Sequence, residues 1–353
     1  MIGSVNLVYI INTLQVGGAE IGMCRLLNGL DEDKYHITVV VLNGRSTGVE
    51  DQIPSSVNIV RLYHSPESSL SIGLKFINIV RNADVIVGSL FHSAIAAKLA
   101  GIVNPDATVG TWRHNTLFKN KKRKMVFNLT KSLNDVVLAD SEAVAKTLIT
   151  ETSVDRSLVH TVPIAGIDMS RYQPVMHDVT ATPIVGTVGR LTKQKNHFTI
   201  LDVAQRLQDT NIRFKIAGDG ELREKLEEET ERRSLSNVSF RGFVSDVPEF
   251  LSGLDIYFQP SYHEGLCITV LEAMATNLPV IGSDVGGISQ NITHGRNGYI
   301  HDPQNIEAFA ASIQKLSSSA DLREEVGREA RATVENQYTQ SDLVEEMVRA
   351  IND

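Results

Sequence analysis

Two stretches in the second half of the chain carry side chains suited to a charged ligand. Gly189-Arg190-Leu191-Thr192-Lys193-Gln194-Lys195-Asn196 directly follows an apolar run, Ile184–Val188. From such a turn Arg190 and Lys195 can converge on one anion, the guanidinium as a fork and the ammonium as a point charge, which matches a diphosphate. Taken singly, the same pattern also describes solvated charges on a surface turn. Glu264-Gly265-Leu266-Cys267 and, eight residues beyond Glu264, Glu272 follow a second apolar run and the break Pro260-Ser261. A helix starting just after Gly265 would offer unpaired N–H groups to an anion and carry Glu272 roughly 10 Å along its axis. That spacing suits a nucleotide sugar, with one Glu on sugar hydroxyls, the helix start on phosphate and the other Glu on ribose. The alternative for Glu272 is a surface position on an amphipathic helix.

The first half is sparser. Gly17-Gly18 lets backbone approach a ligand at a helix start, or simply makes a tight strand-to-helix turn. Its spacing is not the dinucleotide fingerprint, which disfavours a dehydrogenase. Arg113, His114 and Asn115 follow the run 107–111 and either open toward an acceptor or form an ordinary polar loop. Lys119, Lys121, Lys122, Arg123 and Lys124 precede Met125, Val126, Phe127 and Leu129. This stretch either rests on an anionic membrane surface or is a solvated helix start, with its apolar residues turned to lipid or to the core.

These residues need a scaffold, and 353 residues are enough for two domains. Hydrophobic residues at 42% and charged residues at 22% give an ordinary globular balance, and the net charge of -8 argues against a nucleic-acid partner. Apolar runs at 6–11, 36–42 and 85–87 alternate with helical patterns from Glu20 and over 93–99. The alternation resumes with Ile184–Val188, a helix over 197–207, Arg213–Ala217, a helix over 222–233, 238–240 and Ile256–Gln259. This is βαβ order and predicts parallel sheets. Pro174 and Pro183 mark a linker over 172–183, separating domains 1–174 and 183–337; helices are expected near 308–313 and 343–351, and the segment 338–353 is expected to pack back toward the first domain. Cys24 and Cys267 lie far apart without metal-ligand spacing, and no apolar run reaches membrane-span length, so the expectation is a cytoplasmic protein, soluble or peripheral.

Taken together, several motifs carry a family resemblance. Gly17-Gly18, Gly189-Arg190-Leu191-x3-Lys195, Ala217-Gly218-Asp219-Gly220-Glu221-Leu222, Pro260-Ser261 to Glu264-Gly265, Glu264-x7-Glu272 and Asp284-Val285-Gly286-Gly287 occur in this order. They resemble family 4 of the retaining GT-B glycosyltransferases through nearly the whole chain, most specifically over 189–298. The resemblance implies an α/β fold of two Rossmann-like parallel-sheet domains facing each other across a cleft. It implies a nucleotide diphosphate sugar donor held mainly by the C-terminal domain, with a glycan or lipid-linked acceptor held by the N-terminal one.

Position by position, the resemblance implies that Arg190 and Lys195 bind the diphosphate and stabilise the leaving group electrostatically. Glu264 and the backbone of Gly265, Leu266 and Cys267 would hold sugar and phosphate, and Glu272 the ribose. Gly242 and Phe243 would lie near the base; Gly189, Gly218, Gly17 and Gly18 complete the donor set. No metal or other cofactor is expected, since protein cations take that role and no Asp-x-Asp pair is placed for one. Where relatives carry a donor-contacting His the chain has Ser89, and His92 comes three residues later, either serving the same end of the site or standing as a polar residue at a helix start. Gln290 stands where relatives often carry Glu. Transfer with retention is implied, the leaving phosphate taking the acceptor proton. The alternatives are a nucleotide-sugar epimerase or sugar phosphate synthase of the same fold, or a nucleotide-sugar-binding protein without turnover.

Overall fold

The structure, a computed structural model, describes residues 4–43, 48–62, 69–118, 120–175 and 182–353. Its contacts divide the chain into two units, one formed by Met1–Gly166 with Gln340–Asp353 and the other by Ile167–Thr339. The first unit therefore takes its last helix from the far end of the chain.

Unit 1 runs β1 (Val5–Ile11), α1 (Gly18–Gly29), β2 (Tyr35–Val41), β3 (Asn58–Arg61), α2 (Ser69–Val80), β4 (Val85–Ser89), α3 (Phe91–Val103), β5 (Thr108–Arg113), α4 (Lys121–Thr130), β6 (Val136–Ala139), α5 (Glu142–Thr152) and β7 (Val159–Thr161). The seven strands lie in the order β3-β2-β1-β4-β5-β6-β7, all parallel. Central strands are apolar on both faces, as burial between two helical layers demands. Val8, Ile10, Val40, Ile86 and Val109 meet Ala97 and Ala100 of α3, whose small side chains let the helix lie close to the sheet. Val137 and Ala139 meet Val144 and Leu148 of α5.

Unit 2 runs β8 (Ile184–Val188), α6 (His197–Arg206), β9 (Arg213–Ala217), α7 (Arg223–Arg232), β10 (Val238–Gly242), α8 (Val247–Ser252), β11 (Ile256–Gln259), α9 (Ile268–Ala275), β12 (Val280–Ser283), α10 (Gly286–Asn291), β13 (Gly298–His301), α11 (Ile306–Ser317) and α12 (Ala320–Gln337). Its six strands are parallel in the order β10-β9-β8-β11-β12-β13. Phe214, Phe258 and Phe309 anchor the core, with Phe258 and Phe309 at 5.0 Å between ring centres. The remaining helix, α13 (Gln340–Asn352), closes unit 1 by packing on α1, with Leu343, Met347 and Ala350 buried.

Two expectations change. The division falls at Gly166, ahead of the anticipated linker over 172–183. Tyr172 is buried within unit 2, where its hydroxyl donates to Glu272 Oε1 at 2.9 Å and its carbonyl accepts from Arg331 at 2.7 Å, so its surroundings tie the start of that stretch to the second unit. Residues 176–181 of the stretch lie outside the described residues. The helix anticipated just after Gly265 begins at Ile268, because Cys267 sits in the left-handed region at φ 62° and helical geometry cannot pass through it. Among the described residues no helix is long and apolar enough to cross a membrane.

Candidate active site

In unit 2 the strand order reverses between β8 and β11, neighbours in the sheet whose following segments depart to opposite sides. A crevice at the carboxyl ends of such strands is the usual ligand position in open parallel sheets. Here the loops leaving β8 and β11 are stitched together. Gln194 Nε2 donates to the His263 carbonyl at 3.0 Å, Tyr262 N to the Gln194 carbonyl at 2.9 Å, and Asn196 Nδ2 to the Pro260 carbonyl at 2.9 Å. Asn196 reaches this position from the left-handed region, at φ 56°, a conformation to which Asn is unusually tolerant.

The stitching delivers Lys195 to Glu264, Nζ to Oε1 at 2.9 Å, with side chains 16% and 7% exposed. The stem of Lys195 lies over Gly189, where an added Cβ would stand 3.5 Å from Cε. One ammonium proton goes to Glu264, and a second contact reaches Cys267 Sγ at 3.8 Å. An ammonium has three donors, so one remains for a ligand. Burial works against this charge, yet the Cys267 sulfur and the Glu264 carboxylate outweigh it and the Lys195 pKa is raised. Burial and Glu264 push the Cys267 thiol up to about 11, which keeps it neutral at physiological pH.

Glu264 Oε1 also accepts from Ser261 Oγ at 2.8 Å, and Oε2 has no partner among the described residues. Behind it runs a buried relay. Gln259 Nε2 donates to Ser261 Oγ at 2.9 Å, Tyr257 OH donates to Gln259 Oε1 at 3.0 Å, and Val188 N approaches the Tyr257 oxygen at 3.4 Å. The backbone N–H groups of Leu266 and Cys267 likewise have no acceptor among the described residues, so an anion here would meet donors from the loop before α9. Gly286, at φ 49°, and Gly287 lie against this loop so closely that a Cβ would overlap the Glu264 and Gly265 carbonyls.

Gly189 and Gly218 directly follow β8 and β9, and Gly242 ends β10, the three strands being neighbours in the sheet. Gly218 N donates to the Gly242 carbonyl at 2.7 Å, and a Cβ on Gly218 would overlap the Gly189 carbonyl. Phe243, next along, is exposed, as is Arg190, whose guanidinium has no partner among the described residues. No contact joins Arg190 to Lys195. Glu272 is buried on α9, so the surface reading of that residue fails.

Unit 1 assembles a second polar array at its strand ends. Ser89 Oγ lies 2.7 Å from His114 Nε2, and His114 Nδ1 lies 2.9 Å from Asp140 Oδ2. These residues stand at the carboxyl ends of β4, β5 and β6. Ser89 is fully buried and Asp140 nearly so; burial raises the Asp140 pKa against the opposing pull of His114. Trp112 stacks on His114 at 6.0 Å.

Asn12 Oδ1 accepts from both the backbone N and Oγ of Ser93, at 3.1 and 2.7 Å, fixing the first turn of α3. His92, in that turn, is exposed. Arg113 is the last residue of β5 and binds the Asn115 and Leu117 carbonyls, and Asn115 Oδ1 accepts from Leu117 N; both shape their own loop. Gly17 caps α1 and Gly18 opens it, with the Glu20 carboxylate filling the space a Gly17 side chain would need. Gln194, Asn196 and Ser261 stand inside the sequence motifs without having been singled out, Gln259 ends the apolar run before one of them, and Asp140 was not among the candidates. Among the described residues no group of three or more His, Cys, Asp or Glu side chains is arranged to hold a metal.

Residues 176–333 match the family described as Glycosyl transferases group 1, and residues 16–171 match Glycosyltransferase Family 4. A Bacillus subtilis chain named as a glycosyltransferase, EpsF, is 29% identical over 303 residues, 78% of each chain. The Escherichia coli UDP-Gal:alpha-D-GlcNAc-diphosphoundecaprenol alpha-1,3-galactosyltransferase is 26% identical over 251 residues, 65% of this chain and 64% of that one. Among solved structures, Anabaena HepE in complex with UDP and glucose superposes with a TM-score of 0.85 over 99% of both chains at 18% identity, a likeness of fold.

Proposed function

Because the chain belongs to the group 1 glycosyl transferases and has the GT-B fold, we propose that it transfers a sugar from a nucleotide diphosphate donor, held by unit 2, to a glycan or lipid-linked acceptor served by unit 1. The observation that carries this reading is the Lys195–Glu264 pair at the β8/β11 switch point, which keeps one ammonium proton and one carboxylate oxygen available. Lys195 and Arg190 would take the diphosphate, Glu264 Oε2 a sugar hydroxyl, and the Leu266 and Cys267 N–H groups a phosphate oxygen. Glu272 would take ribose, with Phe243 and the strand-end glycines beside the base. In unit 1, His114 would serve the acceptor.

In the proposed reaction an acceptor hydroxyl attacks the anomeric carbon on the face from which the diphosphate departs. The bond from carbon to the diphosphate oxygen breaks, the new glycosidic bond forms with retention, and the hydroxyl proton passes to the leaving phosphate. Arg190 and Lys195 stabilise the charge that develops there. No metal is assigned a part; transfer lost to a chelator and regained with magnesium would overturn that. Both cysteines are buried free thiols, which fits a cytoplasmic setting.

The test is thermal stabilisation by UDP, GDP and ADP and their sugars, starting with UDP because the HepE neighbour holds it. At a hundred times Kd a bound nucleotide adds about 2.7 kcal/mol. Stabilisation by one nucleotide series, lost in Arg190→Ala, is the expected result. No stabilisation by any series removes the main support for the donor site. Release of the nucleoside diphosphate together with an epimerised free sugar, or with transfer of the sugar to a sugar phosphate, would favour the related reactions of this fold.

A further inference from the structure

Helix α4 turns Phe127, half-buried, toward the cluster of Val137, Val144 and Leu148, but presents Met125 and Leu129 to solvent. It has no buried residue, and Leu129 is 74% exposed and Met125 57%. On α3, Leu99, Ile102 and Val103 are exposed as well, and Leu133 follows in the turn after α4. The two helices touch in a way that fixes these faces outward. Lys98, buried, donates to Thr130 Oγ1 at 3.0 Å and lies 4.7 Å from the Phe127 ring centre, while the Arg123 guanidinium lies 4.6 Å from that of Phe91.

One side of each helix is thus committed to the other. Leu99, Ile102 and Val103, at spacings of three and four, form an outer row of α3, and Lys121, Met125 and Leu129, each four apart, form an outer row of α4. Lys121 and Lys122 are exposed and have no partner among the described residues. Lys119, expected to join this group, lies outside the described residues. A soluble helix ordinarily turns its apolar stripe inward. Here the stripe faces out and begins at cations, in a chain whose net charge is -8.

We propose that the outer face of α3 and α4 docks on an anionic phospholipid bilayer, Lys121 and Lys122 meeting the headgroups while Met125, Leu129, Leu99 and Ile102 enter the interface. The charge pattern selects this occupant: cations at one end of an apolar face match a negative surface over an apolar interior. The inference rests on the transferase reading only in supplying a reason, a lipid-linked acceptor, for the protein to be there.

Co-sedimentation with vesicles of phosphatidylcholine, with and without phosphatidylglycerol, tests it. The protein is expected to bind the anionic vesicles, more weakly as salt rises. Met125→Glu with Leu129→Glu should lower binding about tenfold or more, and Lys121→Gln with Lys122→Gln should remove the preference for phosphatidylglycerol. All four side chains but Leu129's are cationic or flexible and every one is surface-placed, so folding should be unaffected, which circular dichroism checks. Unchanged vesicle binding in the Glu variant, or none by the unaltered protein, overturns the proposal. So does a dimer that the Glu variant converts to monomer, since a second copy would then cover the face. Nucleotide stabilisation of the same variants reports separately on the donor site. Arg190→Ala should lose that stabilisation and keep vesicle binding.

Discussion

Lys195 and Glu264 hold opposite charges within hydrogen-bond distance and largely out of water. Removing one partner of such a pair strands the other, at a cost of about 3 kcal/mol. Lys195→Met should therefore destabilise unit 2 by that order and abolish transfer, while Lys195→Met with Glu264→Gln should regain most of the stability and none of the transfer. Denaturant unfolding beside an activity assay separates the two; equal instability of the single and double variants would show that the pair is not what holds the loops.

His197 is buried with both ring nitrogens lacking partners, and burial, followed by the Lys195 charge, lowers its pKa to about 3. The unfolded chain, with an ordinary His pKa near 6.5, then binds a proton that the folded chain refuses. Stability is complete above that value and falls as pH drops toward 3, by about 2 kcal/mol between pH 6.5 and 5. His197→Leu should flatten this slope in unfolding curves measured across that range. Asp140→Asn changes what His114 Nδ1 can donate to and should slow transfer about a hundredfold if His114 handles a proton. An unaltered pH–rate profile would make the array structural.

At the scale of elements, the approach of α10 to the loop before α9 depends on two glycines. Gly286→Ala places a methyl against the Glu264 carbonyl at a backbone angle that side chains rarely adopt, so it should cost about 1–3 kcal/mol and lose nucleotide stabilisation with it. A variant that still binds nucleotide normally would mean the loop can shift freely.

The alternation of strands and helices was legible because apolar runs and 3.6-residue periods are local properties. Lys195 and Glu264, which the structure pairs, were legible for the same reason, lying in short contiguous motifs. The start of α9 was hidden by Cys267, since nothing in a cysteine's type announces a left-handed backbone. Helix α12 went unread because its buried face, Arg323, Val326, Gly327, Ala330 and Val334, carries only two branched aliphatic side chains in a charged sequence. The array of Ser89, His114 and Asp140 joins positions 25 and 26 residues apart, so only strand order brings it together.

For the whole molecule, the two units have separate cores and separate accounts of stability, so a single unfolding free energy does not describe it. Leu343 and Met347 of α13 are buried in unit 1. Leu343→Ala should lower the stability of that unit by about 3 kcal/mol. In calorimetry the transition that nucleotide raises should be unmoved by this change; a parallel fall in both transitions would mean the units unfold as one.

The sharing of unit 1 between the two ends of the sequence also orders its biosynthesis. A ribosome releases Met1–Gly166 first, but α13 emerges only after all of Ile167–Thr339. During translation the seven-stranded sheet must wait with the α1 face that α13 covers still bare, while unit 2, being continuous, can be completed beforehand. Nascent chains stalled just short of residue 340 should therefore be the form most prone to aggregate or to engage chaperones, and unit 1 is completed only by the arrival of a single helix.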